Sequence, residues 1–137
     1  MKANKYFTVE ELVSEEVYDL LGDNAIRLLE PAAVQILEEV REILGVPLIC
    51  NNWVHGGKRN YCGYRDLHCS IGAKKSAHKE GKAFDLISTK MSATEMRQIL
   101  KDNADRLSYP IRIEDDVTWL HIDTRGDHHQ KIYFFKA

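Results

Sequence analysis

Ile111-Arg-Ile-Glu-Asp-Asp-Val-Thr-Trp-Leu-His-Ile-Asp-Thr-Arg-Gly-Asp-His-His-Gln-Lys-Ile-Tyr-Phe-Phe-Lys136 holds three short runs rich in β-branched and aromatic residues. They read as strands over 111–114, 118–123 and 131–136, parted by the polar turns Asp115-Asp116 and Arg125-Gly126-Asp127. Upstream, 83–88 and 46–50 read as further strands. Helical signals dominate the first half. Thr8-Val-Glu-Glu11 reads as a capping box, and Val9, Leu12, Val13, Val17, Leu20 and Leu21 predict a helix ending near Gly22. Pro31 opens a longer helix whose stripe is Val34, Leu37, Val40, Ile43 and Leu44, and Gly45 stops it. Ser92-Ala-Thr-Glu95 is a second capping box, leading through Met96, Ile99, Leu100 and Leu107. Helices first and clustered strands last predict an α+β fold, with N-terminal helices packed on a small, mostly antiparallel sheet.

The chain has 137 residues, 44% of them hydrophobic and 29% charged, which suits one domain over 1–137 with a proper core and argues against disorder. Nineteen Lys and Arg stand against 21 Asp and Glu, a net charge of −2, so no basic surface points to nucleic acid. The N-terminus shows no apolar run of a secretory signal, and no stretch is long enough for a membrane helix. A monomer made in the cytoplasm is expected. Cys50, Cys62 and Cys69 are an odd count and suit reduced thiols.

Alternation in 83–88 places Asp85 with Ala83 and Ile87, opposite Phe84 and Leu86. A carboxylate among apolar neighbours needs a cation, several donors or a metal, because burying it unpaired costs several kcal/mol, roughly. His121 repeats the pattern between Leu120 and Ile122, sharing a face with Trp119 and Asp123. Two neighbouring strands can present both, and His78 lies seven residues before Asp85, with Gly81 between them to turn the chain. His, Asp and His can form a three-ligand zinc site whose fourth position stays open, the catalytic arrangement. A hydrogen-bonded core histidine and a salt-bridged strand aspartate are the plainer alternatives.

Ser76-Ala-His78-Lys-Glu-Gly81-Lys-Ala83-Phe-Asp85 resembles the SxHxxGxAxD signature of the zinc D-Ala-D-Ala carboxypeptidases and their relatives, the phage L-alanyl-D-glutamate endolysins and hedgehog-type domains. Gly63-Tyr64-Arg65 is similar to that family's GYR, and Trp119-Leu-His121-Ile-Asp123-Thr-Arg125 to the HxDxR end of one branch. The resemblance implies that His78, Asp85 and His121 bind one zinc ion, that Arg65 holds a substrate carboxylate or polarises the scissile carbonyl, and that Ser76 hydrogen-bonds beside the ligands. It further implies a peptidase acting on stem peptides of bacterial peptidoglycan, of the phage or prophage lysin kind, at the cell wall once released. Family members often carry an acid three residues before the last zinc histidine, where this chain has Thr118. A bend in the strand would turn Asp116 toward the zinc, and strict alternation would favour Asp115, so Asp116 and then Asp115 are the expected bases, with Asp123 orienting a neighbour.

Within Trp53-Val-His55-Gly-Gly57, His55 is a candidate substrate-rim residue. Cys62 and Cys69, with His68 between them, lack the paired spacing of a second zinc site. His128-His129 reads as a solvated turn, and Lys74-Lys75 with Lys79 as a solvated basic rim. Two other functions compete: a non-catalytic zinc-containing wall-binding or structural module that has lost its base, and, less favoured by the charge, a metal-dependent nuclease.

Overall fold

The computed structural model describes residues 1–66, 69–71 and 76–136. Among these residues three α-helices and one four-stranded sheet form an α+β fold: α1 (Glu15–Leu21), α2 (Pro31–Leu44), β1 (Ala83–Leu86), α3 (Ala93–Asp102), β2 (Ile111–Glu114), β3 (Leu120–Asp123) and β4 (Ile132–Phe135). The strand order is β1-β3-β2-β4. The β1–β3 and β3–β2 pairs are antiparallel, whereas β4 runs parallel to β2, so the sheet is mixed but mostly antiparallel, as the sequence predicts.

Alternation sorts the sheet into two chemistries. Phe84 and Leu86, Ile111 and Ile113, and Leu120 and Ile122 are buried on one side, in a cluster with Ala33, Ile36, Leu37, Val40 and Leu44 of α2 and Met96 and Leu100 of α3. The opposite side carries Asp85, Arg112, Glu114, His121, Asp123 and Phe135, which line a cleft. One sheet therefore hands its apolar face to the helices and its polar face to the site.

The helices start where the sequence supplies caps. Pro31 stands in the first turn of α2, and Gly45, at φ 69°, closes it. On α2 the buried side is Ala33, Ile36, Leu37, Val40 and Leu44, while Val34 and Ile43 are only partly buried, a rotation from the expected stripe. Ser92 Oγ accepts the Glu95 amide at 3.2 Å and starts α3, which ends at Asp102, so Leu107 lies beyond it.

Two expected elements differ. The predicted first helix is divided: a 3-10 turn over Val9–Glu11 is followed by a break, and α1 begins only after Ser14, whose Oγ accepts the Val17 amide at 3.3 Å. At the break the carbonyls are engaged elsewhere, Glu11 O by Asn51 N, Leu12 O by Tyr64 N, and Val13 O by the Asn51 amide and the Trp53 indole. Directed to distant partners, these carbonyls do not close helical turns here. The predicted 46–50 strand is reduced to one bridge, Ile49 with Ile87 just past β1, because the β1 backbone at Asp85 is taken by Cys62 O and Arg59 instead.

Candidate active site

The signature region builds its site through two tight backbone approaches. Gly81 has φ +70°, and a Cβ there would stand 2.0 Å from Leu28 O. A Cβ on Gly63 would stand 2.1 Å from Leu12 O, whose carbonyl receives the Tyr64 amide at 2.7 Å. Both positions exclude any side chain. The Gly63–Arg65 segment then lies against the histidine segment, with Arg65 N donating to His78 O at 3.1 Å and Gly63 O within 2.9 Å of His78 Nδ1. Ser76 caps the short turn Ala77–Glu80, its Oγ accepting the His78 amide at 3.2 Å.

Asp85 on β1 stands opposite His121 on β3 in the antiparallel register, which carries both side chains to the same face. His78 Nε2 lies 3.2 Å from Asp85 Oδ2, and His121 Nδ1 lies 2.8 Å from Asp85 Oδ1. All three residues are buried, and one potential ligand atom from each falls within 4.8 Å of the others. Arg65 Nη2 is 3.5 Å from Asp85 Oδ2, while its Nε donates to Tyr61 O at 2.7 Å. The Asp85 backbone is fixed as well, its amide by Cys62 O at 2.7 Å and its carbonyl by Arg59 Nη2 at 3.1 Å.

Asp123, two residues past His121 on the same face, accepts from His121 Nε2 at 2.7 Å and from Arg112 through both Nε and Nη2, at 2.8 and 2.9 Å. The imidazole thus lies between two carboxylates. Burial alone would lower the His121 pKa, but hydrogen bonds to Asp123 and Asp85 outweigh it and push the value up to about 9. Burial would raise Asp85 and Asp123, yet the histidine contacts to Asp85, and the His121 and Arg112 contacts to Asp123, hold both below the usual carboxylate range. With a carboxylate oxygen against each ring nitrogen, His121 needs a proton on both nitrogens or a metal ion in place of one.

A family model described as Peptidase M15 matches residues 5–123, most of the chain. The chain belongs to the M15 peptidase family. This is the family of the zinc D-Ala-D-Ala carboxypeptidases and the hedgehog-like domains, so the resemblance read from the signature holds. Neither curated proteins nor solved structures gave a match. M15 membership supports zinc peptidase activity on peptidoglycan, and the donor set fits that metal. His78 Nδ1 is turned to a backbone carbonyl and His121 Nε2 to a carboxylate, which leaves the other nitrogen of each ring facing Asp85. Histidine ligands of zinc are oriented by such outer hydrogen bonds.

The cleft, about 390 Å³, brings together Arg65, Ser76, His78, Asp85 and His121 from the expected set. It does not include Asp115, Asp116 or His55. The chain does bend after β2, and Asp116 adopts φ 60°, but the bend turns its carboxylate outward to Lys136 Nζ at 3.0 Å. Asp115 turns toward α3, 3.8 Å from Arg97 Nε, and Thr118 is exposed. His55 ends a short 3-10 turn and is exposed, because the turn is anchored by Trp53 to Val13 O and packs toward Tyr18.

Glu114, Arg112, Trp119, Arg125 and Phe135 join the cleft without having been singled out for it. Extending the β2–β3 register beyond its Arg112–Asp123 and Ile113–Ile122 pairs places Glu114 beside His121. Alternation in Ile111-Arg-Ile-Glu114 carries the signal that finds Arg112 and Glu114, since both fall opposite the apolar isoleucines. Lys79 is a correction to the basic rim: it is buried, and its Nζ donates to Cys69 O at 2.8 Å. His128 is likewise half-buried, stacked near Tyr133 with Nε2 3.1 Å from Ile111 O, while His129 is exposed. His68, Lys74 and Lys75 lie outside the described residues. Cys50, Cys62 and Cys69 are free thiols, and burial pushes the first two up in pKa. Among the described residues no helix is long and apolar enough to cross a membrane.

Proposed function

We propose that the protein is a zinc metallopeptidase that hydrolyses a peptide bond in the stem or cross-link of bacterial peptidoglycan, as a lysin of the phage or prophage kind. His78, Asp85 and His121 are the residues that would hold the ion. Bound there, zinc would supply a Lewis acid that polarises an amide carbonyl and makes water acidic enough to ionise near neutral pH. Arg65 reaches the same carboxylate from the cleft wall, so its guanidinium can hold a substrate carboxylate with the remaining donors. Ser76 fixes the backbone at His78 and so the entry of that ligand into the site.

The observation that carries the catalytic reading is Glu114. It lines the same cleft as His121, and among the described residues its carboxylate accepts no hydrogen bond. Asp123, the other extra acid in the cleft, is occupied by Arg112 and His121 and suits orientation rather than proton transfer. Proton transfer therefore falls to Glu114, in place of the Asp116 and Asp115 expected from chain spacing. With an acid in the cleft, the lack of one at position 118 no longer favours a non-catalytic module.

The test is clearing of purified cell walls in a gel. The parent protein clears; Glu114→Gln keeps its zinc and loses about 10²–10⁴-fold in rate, whereas Asp116→Asn and Asp115→Asn keep most of it. A parent without activity would return the reading to a zinc-containing binding module. Released D-alanine would mark a D-Ala-D-Ala carboxypeptidase, and a new amino-terminal D-glutamate an L-Ala-D-Glu endopeptidase.

A further inference from the structure

Arg112 is placed where it can govern a residue it does not touch. Its cross-strand partner is Asp123, whose side chain has no exposure at all, and the two make a fork of two bonds at 2.8 and 2.9 Å. Each carboxylate oxygen has a second donor. Oδ1 also accepts the Arg125 amide at 3.1 Å, and Oδ2 also accepts His121 Nε2 at 2.7 Å. The guanidinium carbon stands over Phe135, 4.1 Å from the ring centroid, and that ring meets the His121 imidazole edge-on at 5.7 Å. Asp123 and Phe135 thus both contact the His121 imidazole, and Arg112 contacts both of them.

We propose that Arg112 is a positioning residue for the metal centre: through Asp123, and braced by Phe135, it fixes the imidazole of His121 so that Nδ1 is presented toward Asp85. The inference rests on the reading of His78, Asp85 and His121 as zinc ligands. Two features favour positioning over simple neutralisation of a buried acid. The fork fixes the plane of the Asp123 carboxylate as well as its charge, and a point charge on a flexible stem would not do so. The stack on Phe135 holds the guanidinium in the orientation the fork requires.

The experiment is a zinc dissociation constant for the parent, Arg112→Lys and Arg112→Met, by competition with a chromogenic chelator at one pH. Circular dichroism of each metal-free protein accompanies it. Groups that orient zinc ligands from outside cost about 10–100-fold in affinity when changed, so Arg112→Met should weaken zinc by that factor. Arg112→Lys should fall between it and the parent. In both variants the hydrogen-bonded His121 Nε2–H signal seen by proton–nitrogen NMR should broaden or vanish. Should Arg112→Met fail to fold, Arg112→Lys decides. Folded variants with zinc affinity within twofold of the parent would overturn the proposal, even if they melt earlier, since that pattern marks a purely structural contact. A parent that binds no zinc would overturn the ligand assignment itself and this inference with it, an outcome readily told apart from the first.

Discussion

Asp85 has His78 and Arg65 on one oxygen and His121 on the other, so the site changes character with whichever cation it holds. In metal-free protein that cation is a proton on His121. Its folded pKa, about 9, lies above the ordinary 6.5, so its contribution to stability is complete below 6.5 and is lost as pH rises through about 9. Asp85 and Asp123 are depressed from 3.8, so theirs is present above 3.8 and is lost as pH falls through their folded values. Metal-free protein should therefore be most stable between about 4 and 6.5, and zinc should remove the decline toward pH 9 by replacing the proton. Thermal melts across pH with and without zinc check this, and a metal-free melting temperature still rising from pH 7 to 9 would oppose it. Arg65 gives a second prediction at this scale. A hydrogen bond to a charged group contributes roughly 1.5–3 kcal/mol, so losing one guanidinium bond to the substrate carboxylate in Arg65→Lys should cost about 10–150-fold in kcat/KM with zinc content unchanged.

Among the elements, the turn into β1 shows how backbone geometry sets the site. Gly45 and Gly81 have nearly the same φ, +69° and +70°, but a Cβ meets nothing within 4 Å at Gly45 and strikes Leu28 O at Gly81. Gly45→Ala should cost about 1–2 kcal/mol from its left-handed conformation alone, and Gly81→Ala distinctly more. Urea midpoints compare the two, and equal losses would mean that the contact at Leu28 relaxes without strain. Strands 111–114 and 83–86 and the starts of α2 and α3 are legible because their signals are local: alternation, Pro31, and the Ser92 cap. The first helix and the 46–50 strand are not, because distant partners decide them: Asn51 and Tyr64 take the carbonyls of Glu11 and Leu12, and only Ile87 pairs Ile49. The grouping of His78, Asp85 and His121 was legible from the motif along the chain. The place of Glu114 in the same cleft was not, because strand pairing brings it there, whereas distance along the chain pointed to Asp115 and Asp116.

For the whole molecule, a single zinc centre would tie β1, β3 and the Ala77–Glu80 turn together across the polar face of the sheet, while α2 and α3 close the other face. Binding to the folded state alone then stabilises it by about 2.7 kcal/mol at free zinc one hundred times its dissociation constant. Chelation should lower the melting temperature accordingly, and an unchanged melt would mean that the ion is absent or bound elsewhere. Elemental analysis should find about one zinc per chain, and His121→Ala should lose it. The most direct measurement is turbidity clearing of purified cell walls by zinc-loaded protein, repeated after chelation and again after zinc is restored. Clearing should stop with chelation and return with zinc. Zinc-loaded protein that never clears walls, or clearing that chelation leaves untouched, would contradict this.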